Sequence, residues 1–203
     1  MEKIIGREKE LSKLADYKQS GRSEFLAIYG RRRVGKTFLI RSFFKDKFDF
    51  YATGIIDGTF EEEMESFHLA LVRYGFKGPK SRTWIQAFEN LAQLLERKNR
   101  NRQRRLVVFI DELPCLDTKR SGFLHALDLF WNSRASWIDN IYFVVCVALP
   151  VNWDMSSWCA AKRDAPADVD VPAAWRLTAL PQVSPVQHVN SWLRHSVLHC
   201  CVR

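Results

Sequence analysis

Apolar positions along the chain switch between a helical period and unbroken runs. Over residues 7–19, Leu11, Leu14 and Ala15 stand among charged residues, the spacing of an amphipathic helix. Glu24-Phe25-Leu26-Ala27-Ile28-Tyr29 then reads as a buried strand, and Phe38 to Phe44 as a helix. Phe48 to Thr53 alternates aromatic and small residues and predicts a second strand. Thr59 stands three residues before Glu62, the spacing of a capping box, with Glu61, Glu62 and Glu63 in the first turn it would open. Met64, Phe67, Leu71 and Val72 continue that helix until Gly78-Pro79 breaks it, and Trp84, Phe88, Leu91, Leu94 and Leu95 mark the next. Leu106–Ile110 and Ile141–Val147 are continuous apolar runs, the mark of strands covered on both faces, with a helix through Phe123, Leu127, Phe130 and Trp131 between them. Helices alternating with strands that lack an in-out polar pattern predict an α/β fold, a parallel sheet sandwiched by helices.

Two segments of this pattern carry chemistry. Gly30-Arg31-Arg32-Arg33-Val34-Gly35-Lys36-Thr37 matches the phosphate-binding loop G-x-x-x-x-G-K-[ST], between a predicted strand and a predicted helix. In such a loop backbone N–H groups converge on an anion, and the helix N-terminus adds its positive dipole end. The apolar strand Leu106-Val107-Val108-Phe109-Ile110 ends in Asp111-Glu112, the form of a Walker B strand. It delivers two acids to the carboxyl edge of the sheet, where ligands of open α/β folds bind. Mg²⁺ takes few protein oxygens, and Thr37 and Asp111 offer a hydroxyl and a carboxylate. Lys36 is placed for the β- and γ-phosphates, and Glu112 for polarising the attacking water as general base. No Asn-Lys-x-Asp guanine-reading motif occurs, which favours ATP over GTP. The side chains of Arg31, Arg32 and Arg33 read as solvent-facing, because this loop binds through its backbone.

The net charge of +8 changes the picture little, since basic residues concentrate only in the loop and in Lys98 to Arg105. That second cluster reads either as a solvated loop or as a contact for nucleic acid. No run of 18 apolar residues predicts a membrane span, and the N-terminus has no signal-like apolar core. Five cysteines without a C-x-x-C pair fit a reducing, cytoplasmic setting. His195, His199, Cys200 and Cys201 lack the second ligand pair that zinc-site spacing requires.

With both motifs the chain resembles the prokaryotic AAA-type P-loop ATPases, in particular archaeal and bacterial members that carry a nuclease-like C-terminal domain. The resemblance covers about residues 2 to 146. It rests on Ile5-Gly6-Arg7-Glu8-Lys9-Glu10-Leu11, on Tyr29 to Thr37, on Phe109-Ile110-Asp111-Glu112-Leu113-Pro114 and on Phe130-Trp131-Asn132-Ser133. It implies a P-loop NTPase sheet of about five strands, or four in this chain, with the Walker B strand beside the loop strand. It also implies that Ile5, Gly6 and Arg7 approach the adenine, and that the protein acts as a switch-type ATPase.

The resemblance stops after Cys146. Members continue into a Gly-Ser-type segment with a polar sensor residue and then a helical lid; here Val147-Ala148-Leu149-Pro150-Val151-Asn152 follows. Pro150 makes Asn152 a poor sensor. The last 57 residues contain no Gly, Glu, Phe, Ile or Tyr, yet hold five of the seven prolines and four of the seven tryptophans. Such a break predicts an incomplete ATPase core over 1–146 and an anomalous tail over 147–203, frameshifted or poorly ordered, without a lid.

The expected function is therefore binding of ATP with Mg²⁺, with slow hydrolysis at most unless sensor and lid functions are supplied. Arg134 could serve a neighbouring copy as an arginine finger in a homo-oligomer, although a surface helix arginine is the plainer reading. The rivals are an ATP-switched, DNA-associated regulator or defence component resting on Arg100 to Arg105, and a non-functional truncated fragment. A small-molecule kinase would need an acceptor-binding acid and a lid arginine near the loop, and neither is evident.

Overall fold

The computed structural model describes residues 7–100, 104–138, 140–149 and 196–199. In chain order these form α1 (Glu8–Gln19), β1 (Glu24–Arg31), α2 (Lys36–Phe44), β2 (Phe50–Thr53), α3 (Phe60–Arg73) and α4 (Trp84–Asn99). Then come β3 (Leu106–Asp111), the short α5 (Leu113–Leu116), α6 (Phe123–Ser133), a 3₁₀ turn Ala135–Trp137, β4 (Ile141–Leu149) and β5 (Ser196–His199). The strands form one parallel sheet in the order β2-β3-β4-β1-β5. The α/β class and parallel pairing agree with the sequence reading. Four strands lie between residues 24 and 149, and the short β5 adds an edge beside β1.

One expectation is overturned. The Walker B strand β3 is not beside the loop strand β1; β4 lies between them. The reason is burial. Over Ile141–Ala148 every β4 side chain is buried, so this strand takes the middle of the sheet. Its odd residues, Phe143, Val145 and Val147, join the core under α3, α4 and α6. Its even residues, Tyr142, Val144 and Cys146, join the core under α1 and α2. A continuous apolar run shows that a strand is covered on both faces, not which strands flank it.

Each helix buries the face its periodicity marks. Around α3 and α4 the core is largely aromatic. Phe67 and Phe123 meet Trp84 edge-on, at 5.3 and 4.8 Å between centroids, and Phe88 stacks on Phe130 at 5.2 Å. Burying each such ring contributes about 1.5–3 kcal/mol. The expected capping box is present: the Thr59 hydroxyl accepts from the Glu62 N–H, and the Glu62 carboxylate accepts from the Thr59 N–H. On the opposite face Tyr142, fully buried, donates its hydroxyl to the Leu14 carbonyl and ties α1 to the sheet.

At the amino edge of the strands, Asp49 locks β2 to β3. Its buried carboxylate accepts from the Val107 N–H at 2.9 Å and from both terminal nitrogens of Arg104. Among the described residues no helix is long and apolar enough to cross a membrane. The tail reading falls mostly on residues outside those described; within it, β4 runs on to Leu149, just before Pro150.

Asp49→Ala leaves the buried Val107 N–H without its carboxylate acceptor. Chemical denaturation should show a loss of about 1–3 kcal/mol, and an unchanged midpoint would contradict this assignment.

Candidate nucleotide-binding site

The loop is built by backbone conformations that its sequence permits. Gly30 has φ 155° and Gly35 φ 80°, both favourable to glycine, and Arg33 between them is also left-handed at φ 63°. Arg32 and Arg33 are exposed, in keeping with a loop that works through its backbone. α2 starts at Lys36 with no side-chain cap at Gly35, so its first-turn N–H groups face the hollow of the loop. Lys36 itself is only 6% exposed, and its Nζ donates to the Gly30 carbonyl at 3.0 Å across the loop.

Asp111 closes the other side. It ends β3 with 5% exposure, and its Oδ2 accepts from the Thr37 hydroxyl at 2.7 Å. Its Oδ1 accepts from the Glu112 N–H at 3.0 Å, which fixes the carboxylate plane. The two motifs, 74 positions apart, therefore meet above the carboxyl end of β4. Adjacent hydroxyl and carboxylate oxygens are the hard donors that Mg²⁺ takes alongside water and phosphate. The chemistry of these donors fits that ion, which Thr37 and Asp111 would hold.

Glu112 follows in a left-handed conformation, φ 48°, uncommon for a residue with a side chain. Its Oε2 is buried with no hydrogen-bond partner among the described residues. A left-handed backbone and an unpartnered carboxylate oxygen thus occur together at Glu112.

Two residues to which the sequence reading gave no part in the site support this turn. Gly54, where the chain leaves β2, donates its N–H to the Asp111 carbonyl at 3.1 Å. A Cβ there would sit 2.6 Å from the Glu112 carbonyl oxygen and 2.7 Å from the Cys115 Cβ, so only glycine lets β2 press against the Walker B turn. Glu63, on α3, is fully buried; its Oε1 accepts from the Ile55 N–H at 2.7 Å, while its Oε2 has no partner among the described residues. Burial pushes the Glu63 carboxyl up to about 7, against the opposing pull of the Ile55 N–H. A signal for Glu63 existed: it shares the i, i+4, i+8 stripe with Phe67 and Leu71, both buried. Burial and then the Glu112 charge push the Cys115 thiol up, and the Arg32 guanidinium pulls the other way.

The remaining predicted residues divide. Arg7 reaches the loop, its guanidinium donating to the Val34 carbonyl at 2.5 Å. Ile5 and Gly6 lie outside the described residues, and of Arg31 the backbone alone is described, at the end of β1. Arg134 caps the end of α6 on the edge of the sheet away from the loop, paired with Glu89 and Glu96 of α4. The basic cluster is largely tied inward. Lys98 donates to the Asp49 carbonyl, Arg104 clasps the Asp49 carboxylate, and Arg105 donates to the carbonyls of Lys18, Arg22 and Ile141.

Residues 4–147 match the family model described as an ATPase domain predominantly from Archaea. The chain belongs to this family. It is thus an ATP-binding P-loop domain of AAA-type ATPases, and the match spans the ATPase domain alone. A search of curated proteins finds no match. Among solved structures, the ORC2 protein of Aeropyrum pernix, in ADPNP–ADP complexes, is 16% identical with a TM-score of 0.51, covering 82% of this chain and 46% of that one. A Walker-type ATPase of Pyrococcus abyssi is 20% identical with a TM-score of 0.45, over 71% of this chain and 45% of that one. A chain of Drosophila ORC bound to DNA is 15% identical with a TM-score of 0.44, over 75% of this chain and 83% of that one. The chain spans less than half the length of the two archaeal relatives, and the likeness to the Aeropyrum protein is one of fold.

Because the Glu63 pKa is raised above its unfolded value of 4.5 to about 7, its contribution to stability is full below 4.5 and lost as pH rises through 7. Glu63→Gln keeps an oxygen for the Ile55 N–H and removes the titration. Thermal melts should show the variant gaining on the wild type as pH rises from 4.5 past 7; an offset independent of pH would contradict the assignment.

Proposed function

We propose that the domain binds ATP with Mg²⁺ and uses it as a conformational switch, hydrolysing it slowly if sensor and lid functions are supplied. The observation that carries this reading is the Thr37–Asp111 hydrogen bond, which joins the phosphate loop to the Walker B acid at 2.7 Å. In this reading Lys36 neutralises phosphate charge as it transfers from the Gly30 carbonyl to the nucleotide. The loop N–H groups hold the phosphates, Gly30 to Thr37 lining them. Thr37 and Asp111 hold the ion, which supplies charge neutralisation at the phosphates when bound. Glu112 takes the proton of the attacking water. Arg7, which touches the loop backbone, supports the adenine end together with Ile5 and Gly6.

The composition break after Cys146 supports an incomplete core over residues 1–146 and a frameshifted tail over 147–203 that supplies no lid pattern. On this view turnover is weak, and an arginine from a second copy would raise it; Arg134, already paired with Glu89 and Glu96, is a poor donor of that charge. A DNA-associated regulator is the second reading. Its support shifts from the whole basic cluster to the cations left unbound at the far end of α4.

Glu112→Gln should bind ATP as the wild type does while turnover falls about 100-fold or more, followed by phosphate release and a nucleotide titration. Unchanged turnover would remove Glu112 from the role of base.

A further inference from the structure

The amino edge of the sheet, opposite the nucleotide loop, carries an aromatic platform beside unneutralised cations. Trp137 is 71% exposed, the most exposed large hydrophobic side chain among the described residues. A tryptophan is ordinarily well covered, because its ring gains so much from burial. This one is nevertheless held firmly. Ala135, in the same 3₁₀ turn, is fully buried, and the indole N–H donates to the Asn132 carbonyl at 3.2 Å. The ring is thus fixed with most of its surface in solvent.

Trp137 lines a cavity of about 400 Å³ together with Arg100, Arg134 and Ile138. A second cavity, of about 680 Å³, opens on the other side of the α4 terminus and is lined by Lys77, Arg97 and Arg100. The two share Glu96 and Arg100, so they adjoin across the end of the helix as the two arms of a trough. The charge in it is positive. Glu96 is the one acid lining either cavity, and its carboxylate is taken by Arg134 at 2.9 Å. Lys77 and Arg100 are exposed with no partner among the described residues, and Arg97 has only a 3.3 Å bond to the Gly75 carbonyl.

The helix dipole accounts for part of this, since cations near a helix C-terminus are stabilising. It does not account for Lys77, which lies on the loop after α3, nor for an exposed, immobilised indole. A fixed ring beside a cationic groove is the arrangement by which proteins take single-stranded nucleic acid, bases stacking on the ring and phosphates following the charge. We propose that this trough binds single-stranded nucleic acid, with Trp137 as the stacking platform and Lys77 and Arg100 as phosphate contacts. The proposal rests on the nucleic-acid reading above and moves its seat away from Arg104 and Arg105, whose guanidinium groups are engaged internally.

The test is fluorescence anisotropy of a labelled oligothymidine of about 15 nucleotides with the full chain, over a series of salt concentrations. Trp137→Ala should weaken binding at least about fivefold, and Trp137→Phe, which keeps a ring, should recover most of that loss. The pair Lys77→Ala and Arg100→Ala should flatten the logarithmic salt dependence by about 1.4, or about 0.7 per charge removed. These variants should bind ATP as the wild type does, which separates a lost site from a lost fold. Lys36→Ala should bind the oligonucleotide normally while losing ATP. Wild-type binding that none of the trough variants weakens would refute the site while leaving the nucleic-acid reading intact. No wild-type binding even at low salt would overturn both, and a preference for duplex that ignores Trp137→Ala would refute stacking.

Discussion

The hydrogen bond between the Thr37 hydroxyl and the Asp111 carboxylate is the contact on which the site depends. It joins the first turn of α2, the helix that follows β1, to the end of β3, and β1 and β3 are not neighbours in the sheet. For it to form, β1, β4 and β3 must hold a fixed register. Gly30 lies beside Ala148 and Ile110 beside Val145, so β3 ends three β4 positions short of β1, and the loop brings Thr37 back to the level of Asp111. The central strand β4 is therefore the beam across which the two motifs are held together, and its burial on both faces is what makes the beam rigid.

Behind the site a second layer constrains the acids. Gly54 lets the end of β2 rest against the Walker B turn, and Glu112 adopts its left-handed conformation in that turn. Glu63 holds the Ile55 N–H from below, so the loop after β2 is tied to α3 by a buried carboxyl. That arrangement links the charge state of a buried acid to the position of a segment touching the Walker B turn. The amino edge of the sheet is fastened differently, through Asp49, Arg104 and Arg105, and so leaves the nucleotide edge free of those cations.

Much of this was legible in the sequence. The glycines and Lys36 of the loop, the acids after an apolar strand and the Thr59 cap are short-range patterns with local physical causes, and each is found where its cause operates. Strand order was not legible, because β3 and β4 carry equally apolar runs and a run does not name its neighbours. Gly54 was hidden because its requirement is a close approach between segments 58 residues apart, Glu112 among them. Arg104 and Arg105 read as a solvent-facing basic run because their partners, Asp49 and the carbonyls of Lys18 and Arg22, lie far away in sequence. Trp137, last in its short turn, gave no periodic signal at all.

Coupling between Thr37 and Asp111 is what gives the site its response to Mg²⁺. Calorimetric titration of ATP, with Mg²⁺ and with EDTA, would measure it in the wild type, in Thr37→Ala, in Asp111→Ala and in the double variant. Mg²⁺ should tighten ATP binding in the wild type. Each single substitution should remove most of that gain, and the double variant should lose little more than either alone. A full Mg²⁺ gain in Asp111→Ala, or none in the wild type, would contradict that coupling.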